Sequence, residues 1–384
     1  MLNRRASEDH HGGIQVNGQT DIVIVGAGPA GIATAIAASL KGLRAVVLDS
    51  RTPPIDKPCG EGLLPHGVAA LRTLGIHLDS SNAVPFAGIR FADEDSSACA
   101  EFPDAPGYAL RRVRLHQLLV ERANRAGVTF HWGAHVTELT SRHVTAGGKR
   151  IPYTWLVGAD GQNSIVRRWA RLGPLRAHGK RFGFRQHFHV SSWPNLVDVY
   201  WGEHCQMLAT PTDAQEVCVS VLSRDPGLRI AQALPHFPAL AEKLRDATPA
   251  TKELGNMTTL NRLPAVARGH VALVGDASGS VDAITGHGLS LAFQQALFLA
   301  EAFERGSLAH YESAHRKIAV MPALMTHLML LMERNTWVRR RALCLFENKP
   351  GLFSKLLSIH AGALPLSSLS VGEMVDFGWK LLGA

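Results

Sequence analysis

The chain has 384 residues, 46% hydrophobic and 19% charged, with a formal net charge of +8. This is the length of two domains with cores of their own and the composition of an ordinary folded protein, which excludes a disordered or fibrous chain. The positive charge favours anionic partners such as phosphorylated cofactors or an acidic membrane surface. There is no zinc-ligand spacing, no RNA-binding aromatic signature and no continuous basic run, so no nucleic-acid partner is expected.

The five cysteines, Cys59, Cys99, Cys205, Cys218 and Cys344, show no paired spacing. They predict a reducing, cytoplasmic compartment rather than a disulfide framework. Residues 1–19 are polar and lack an apolar h-region, so they read as a disordered tail and not a signal peptide. No apolar run reaches the roughly 18 residues of a membrane span.

In chain order, the first pattern is DIVIVGAGPAG, residues 21–31. Asp21 to Val25 predicts a buried strand, and Gly26-Ala27-Gly28-Pro29-Ala30-Gly31 supplies G-x-G-x-x-G. Ile32 to Leu40 is a small-residue helix ended by Gly42, and Arg44–Leu48 is a second strand closed by Asp49. A dinucleotide site requires this strand–turn–helix–strand order. Gly26 permits the tight turn, Gly28 lets backbone approach a pyrophosphate, and Gly31 packs helix on strand. The phosphates would sit on the helix N-terminus, where free N–H groups and the dipole favour negative charge. Asp49 stands where an acid holds a ribose hydroxyl. The motif alone does not separate FAD from NAD(P).

Residues 51–67, RTPPIDKPCGEGLLPHG, read as a loop. A helix is expected over Leu63–Leu74 with Gly75 as its cap, and strands of a second layer over 84–103. Tyr108–Gly127 contains an amphipathic helix with Arg112 near its start. Val128–Trp132 and Val136–Leu139 are short strands, and Ile151–Val157 runs into Gly158-Ala159-Asp160-Gly161. Residues 182–223 predict an antiparallel sheet covered on one face. His187 and His189 alternate along it and share a face, but with no third ligand evident no metal site is expected. Residues 229–246 read as helical. Val271–Val274 is a strand, Gly275-Asp276 a turn, and Gly286-His287-Gly288 opens a helix to about Arg305. The last seventy residues read as helical, and no internal repeat is present.

Gly26–Gly31, Gly158–Gly161 and Gly275–Asp276, standing in that order, resemble the superfamily of FAD-dependent aromatic hydroxylases (group A flavin monooxygenases) and geranylgeranyl reductases, over roughly residues 20–310. The resemblance implies an α/β fold: a Rossmann-type FAD-binding domain (20–80, 106–178 and 262–310) interrupted by a mostly antiparallel β-sheet substrate domain (81–105 and 179–261), with a helical C-terminal region (311–384). It implies that the first motif holds the ADP half of FAD, that Asp160 and Gly161 lie near the FAD and a docking nicotinamide, that Asp276 bonds the flavin ribityl chain, and that Arg112 lies near the cofactor. His116 stands where the family often has Asp. A helix opening at Gly286–Gly288 would aim its N–H groups at the flavin pyrimidine edge, where reduced flavin is negative. No second G-x-G-x-x-G follows a strand, so NAD(P)H would bind transiently in the cleft, or a partner protein would supply electrons.

The chain departs from the hydroxylase pattern at Gly279 and Ala283. Gly279, Thr285-Gly286 and KPCGEG at 57–62 look more like the reductase branch. Yet of that branch's aromatic-rich motif, QMLATP at 206–211 keeps only the Pro, and the Trp-x-Trp-x-Ile-Pro stretch of flavin halogenases is missing. The expected function is an NAD(P)H-using monooxygenase acting on a hydrophobic, aromatic or polyketide-like molecule through a flavin C4a-hydroperoxide. The alternative is reduction of C=C bonds in isoprenoid lipids, and a third reading is a flavin redox sensor. Candidates for catalysis are His287 at the flavin edge, Glu61 and His66 as acid or base, and Cys59 as a flavin contact. For the apolar segment within 318–341 three readings stand: a membrane-surface contact with basic residues toward headgroups, a wall of the substrate cavity, or a buried core helix.

Overall fold

A computed structural model describes residues 20–174, 176–177, 179–193, 195–258 and 260–382. The expected tail over 1–19 lies outside them. The strand Ile22–Val25 is buried along its whole length, as its unbroken apolar run requires of a strand covered on both faces. It pairs in parallel with Ala45–Asp49 on one side and with Trp155–Gly158 on the other. Thr129–Trp132 and Val271–Leu273 extend this sheet to either side in parallel, and Ala267–Arg268 closes one edge antiparallel.

The helix expected from Ile32 begins three residues earlier, at Pro29, and runs to Leu40. Proline is pre-set for a first helical turn, where its missing N–H costs nothing. Its alanines and isoleucines pack it closely against the sheet and against the helix Gly288–Glu304. The amphipathic helix spans Arg112–Arg125 and buries Leu115, His116, Leu119 and Ala123.

The second sheet runs Thr248–Pro249, Phe182–His189, Glu216–Ser223, Cys205–Asp213, Leu196–Trp201, Gly88–Ala92, Ser97–Glu101, with Leu254–Met257 also paired to Phe182–His189. All its pairings are antiparallel except that of Leu196–Trp201 with Gly88–Ala92, which brings the early strands into the later sheet. Two expectations change. The stretch 229–246 divides into Ile230–Ala233, a turn Leu234–His236 and Pro238–Lys243, because Pro235 and Pro238 each remove a helical donor. Residues 151–157 belong to two strands, Lys149–Pro152 and Trp155–Gly158.

After Gly288–Glu304 come the helices Ala309–Arg334, Thr336–Asn348, Pro350–His360 and Val371–Leu382. They pack on the second sheet, where Phe346 stacks on Phe353 and Phe353 meets Phe91. Within Ala309–Arg334, Met325, Met329 and Met332 are buried while Val320, Leu324 and Leu331 face outward. Among the described residues no helix is long and apolar enough to cross a membrane.

Candidate functional site

The glycine turn behaves as its spacing demands. Gly26 has φ +108°, and a Cβ there would lie 2.4 Å from the Ala159 carbonyl oxygen. At Gly31 a Cβ would lie 2.0 Å from the Gly26 oxygen, so only glycine lets the helix sit on the strand. Gly28 instead faces open space. Asp49 is buried, with Oδ2 accepting from the Ala27 N–H at 2.8 Å and Oδ1 from the Arg51 N–H at 2.9 Å. It therefore pins the turn as well as standing at the strand end.

A cavity opens on this turn and is lined by residues of both sheet regions. Gly28, Pro29, Ala30, Arg112, Gly161, Gly275, Asp276, Gly286 and Gly288 line it, together with Lys57, Cys59 and Glu61 from the early loop. Gly286 and Gly288 also meet no atom where a Cβ would stand. The side-chain Nε of Arg112 is buried with no hydrogen-bond partner among the described residues. Open glycines, a helix N-terminus, an orphaned guanidinium nitrogen and Lys57 make a cradle for an anionic, planar ligand. The residues present therefore fit FAD: Gly28–Ala30 and Arg112 would hold its phosphates, and Gly286–Gly288 would meet its ring. Asp276 opens onto this cleft, and the surrounding walls push its carboxyl above the usual range, with Lys57 and Arg112 opposing. Burial likewise lowers the Lys57 ammonium, with Arg51 adding to the effect.

Other expected residues lie off the cavity. Asp160 turns its carboxylate to the N–H groups of Ile165 (2.7 Å) and Val166 (3.3 Å), capping the helix Ile165–Trp169, while its neighbour Gly161 reaches the cavity. His287 is buried beneath the helix start, its ring nitrogens 3.1 Å from the Thr285 oxygen and 2.9 Å from the His360 oxygen. His66 packs on His287 and bonds the Ala361 oxygen at 2.7 Å. Burial drives the His287 imidazole well down and His360 down to about 4.

Glu61 sits apart from these histidines. It is 2% exposed and holds φ +62°, a conformation that costs a non-glycine residue about 1–2 kcal/mol. Its Oε1 accepts from the Arg112 N–H at 3.0 Å, and its Oε2 lies 2.5 Å from His187 Nε2. Cys59 Sγ lies 3.3 Å from the Glu61 N–H, and burial pushes the Cys59 thiol up. His187 and His189 differ sharply: His187 is buried on Glu61, and His189 is exposed at the strand end.

The far wall is one face of the second sheet. Register aligns Phe91, Val199, Leu208, Ser220 and Arg185 in a row across five strands, and all five line the cavity. Polarity therefore grades along the row, from phenyl and aliphatic groups to a guanidinium. Met329 adds the Ala309–Arg334 helix to the apolar end, and His360 adds the end of Pro350–His360. Arg185, His187 and His360 were legible only in part. Strand alternation marks His187 together with His189, whereas nothing local marks Arg185 or His360.

The model of the FAD binding domain family matches residues 19–306. The menaquinone reductase of Mycobacterium tuberculosis is 33% identical over 174 residues, covering 41% of this chain and 43% of that protein. The menaquinone reductase of Mycolicibacterium smegmatis is 25% identical over 331 residues, covering 78% and 80%. A 3-(3-hydroxy-phenyl)propionate/3-hydroxycinnamic acid hydroxylase of a Mycobacterium species is 33% identical over 165 residues, covering 39% and 29%. A flavin-dependent brominase has the same fold, with a TM-score of 0.78 at 18% identity over 90% of this chain and 94% of its own. With three quarters of its length matched by the family model and its glycine turn, cavity and sheets arranged to fit the cofactor, the chain belongs to the FAD binding domain family.

Proposed function

We propose that the protein is an FAD-dependent oxidoreductase that reduces a lipophilic acceptor, a quinone or an isoprenoid-bearing lipid, with a nicotinamide as electron donor. The observation that carries this reading is the graded wall of the cavity. Phe86, Phe91, Val199, Leu208 and Met329 offer an apolar arm, and the acid Glu61 lines the same cavity, bonded to the Arg112 N–H of the cradle. FAD, when reduced, supplies hydride. The chain's own residues exclude water from the apolar arm, orient the acceptor and provide a proton at Glu61. The 25% identity to a menaquinone reductase extends over 78% of this chain, through the second sheet, which supports the same class of acceptor.

Monooxygenation of a hydrophobic phenol is the second reading. It is supported by the 33% identity to an aromatic hydroxylase, which covers 39% of this chain. Product mass separates the two. Incubation of the FAD-loaded protein with NADH or NADPH and a menaquinone is expected to yield product that has gained hydrogen. Product that has gained oxygen, made from a lipophilic phenol with stoichiometric oxygen uptake and none made from the quinone, would overturn the first reading in favour of the second.

A further inference from the structure

We propose that Glu61 is the group that exchanges a proton with the bound acceptor, and that His187 is the positioning residue that connects it to the protein surface. This rests on the oxidoreductase reading above. The hydrogen-bond pattern fixes the protons. Arg185 Nη1 lies 3.3 Å from His187 Nδ1, and a guanidinium can only donate, so Nδ1 is an acceptor. The ring proton is therefore on Nε2 and points at Glu61 Oε2, 2.5 Å away. On the outer side Thr251 Oγ1 lies 3.2 Å from Nδ1 and takes the His187 backbone N–H at 3.1 Å, which leaves its hydroxyl proton to donate to the ring. Arg185 continues to Asp56 at 2.5 Å, whose side chain is 34% exposed. A continuous polar chain thus runs from the cavity through Glu61 and His187 to the surface.

The charged and titratable groups facing Glu61 are Arg112, Arg185, His187, Cys59 and Cys218. Glu61, His187 and Cys218 bring their ligating atoms within 4.8 Å of one another, spacing that a metal ion could use. Two features favour the proton path instead. Arg185 already places a cation 3.9 Å from Glu61 Oε1, and burial pushes the Cys218 thiol well up, keeping it protonated.

The step balances as follows. The acceptor gains a hydride and one proton. Glu61, a carboxylate in the bonding pattern above, takes the proton of His187 Nε2–H, and the O–H bond so formed breaks again as the new bond forms on the acceptor, leaving Glu61 as carboxylate. One proton then enters from water at Thr251 and restores the Nε2–H tautomer of His187, so solvent supplies the proton that the acceptor gains.

The test uses the FAD-loaded protein, photoreduced without air, and follows flavin reoxidation in H2O and D2O by three acceptors. Menadione takes two electrons with protons. Oxygen, leaving as hydrogen peroxide, also takes protons and needs no organic substrate. Ferricyanide takes electrons only. Glu61→Gln is expected to slow menadione and oxygen by about 10²-fold or more and to remove their solvent isotope effect, with ferricyanide unchanged. His187→Asn is expected to lower kcat for menadione without raising KM and to shift the pH profile. Thr251→Val, a milder change at the outer end, is expected to reduce the isotope-sensitive rate several-fold. Wild-type rates with menadione and oxygen in Glu61→Gln would overturn the proposal. So would equal slowing with all three acceptors, which marks a damaged flavin seat. A wild-type protein that discharges to oxygen but ignores menadione would contradict the quinone reading, while the oxygen comparison still decides the role of Glu61.

Discussion

At the scale of single residues, the site is governed by which ionisable groups the fold keeps neutral. His360 is 4% exposed, and burial holds its imidazole down at about 4 against an ordinary value near 6.5. The unfolded chain therefore binds more protons across that window, and stability falls as pH drops from about 6.5 to about 4. The loss from this one group is about 3 kcal/mol. His360→Asn removes the titration, so its melting temperature is expected to fall less steeply than wild type between neutral and acid pH. Parallel melting curves for the two proteins across that window would contradict the assignment.

Residue-scale legibility was uneven for a physical reason. Gly26, Gly28 and Gly31 announce their roles because a tight turn, an open approach and a close packing fall within six consecutive positions. Glu61 and His187 meet across 126 residues of chain, and no local spacing encodes a contact of that kind. Asp160 shows the opposite limit, since a motif can mark the right turn while one oxygen of its carboxylate, Oδ2, goes to a helix cap.

At the scale of elements, Arg181 ties three of them together. It is 2% exposed and reaches Asp282 at 2.5 Å in the loop before the helix Gly288–Glu304, Glu333 at 3.4 Å in the helix Ala309–Arg334, and Gln206 in the sheet. Breaking a buried charge network by removing one partner strands the others. Arg181→Met is expected to destabilise the protein by about 3–5 kcal/mol, read by chemical denaturation. A loss below about 1 kcal/mol would show that the pairing contributes only what an exposed pair does. Periodicity and turn signals identified the strands beside the glycine turn, the helices near residues 29, 112 and 288 and the sheet over 182–223, but not the strands His143–Ala146, Thr248–Pro249 and Leu254–Met257. They also failed where prolines interrupt a pattern, as at Pro235 and Pro238, and at helix starts, where Pro29 extends the first helix beyond the apolar run.

At the scale of the whole molecule, the tail helices close the cavity's apolar end on one side and face solvent on the other. The segment within 318–341 satisfies two of its expected readings together, since Met325 and Met332 are core and Met329 is cavity wall. Its outer face carries Val320, Leu324, Leu331 and Trp337, flanked by Arg316, Lys317, Arg334 and Arg340. An apolar strip with basic ends suits an anionic bilayer surface, from which a lipophilic acceptor could be drawn. We propose that contact. Flotation with phosphatidylglycerol vesicles is expected to carry the protein, weakened several-fold in Leu324→Ser with Trp337→Ser. Equal flotation of wild type and this variant would contradict it.

The central claim is that reduced flavin in this cavity discharges to a lipophilic acceptor. The most direct measurement is anaerobic stopped-flow of the photoreduced, FAD-loaded protein against phosphatidylglycerol vesicles with and without menaquinone. The account predicts that oxidised-flavin absorbance returns only with quinone-loaded vesicles, and more slowly when Met329→Trp narrows the apolar arm. Flavin that stays reduced against quinone, and reoxidises only when oxygen is admitted with a phenol, would contradict it.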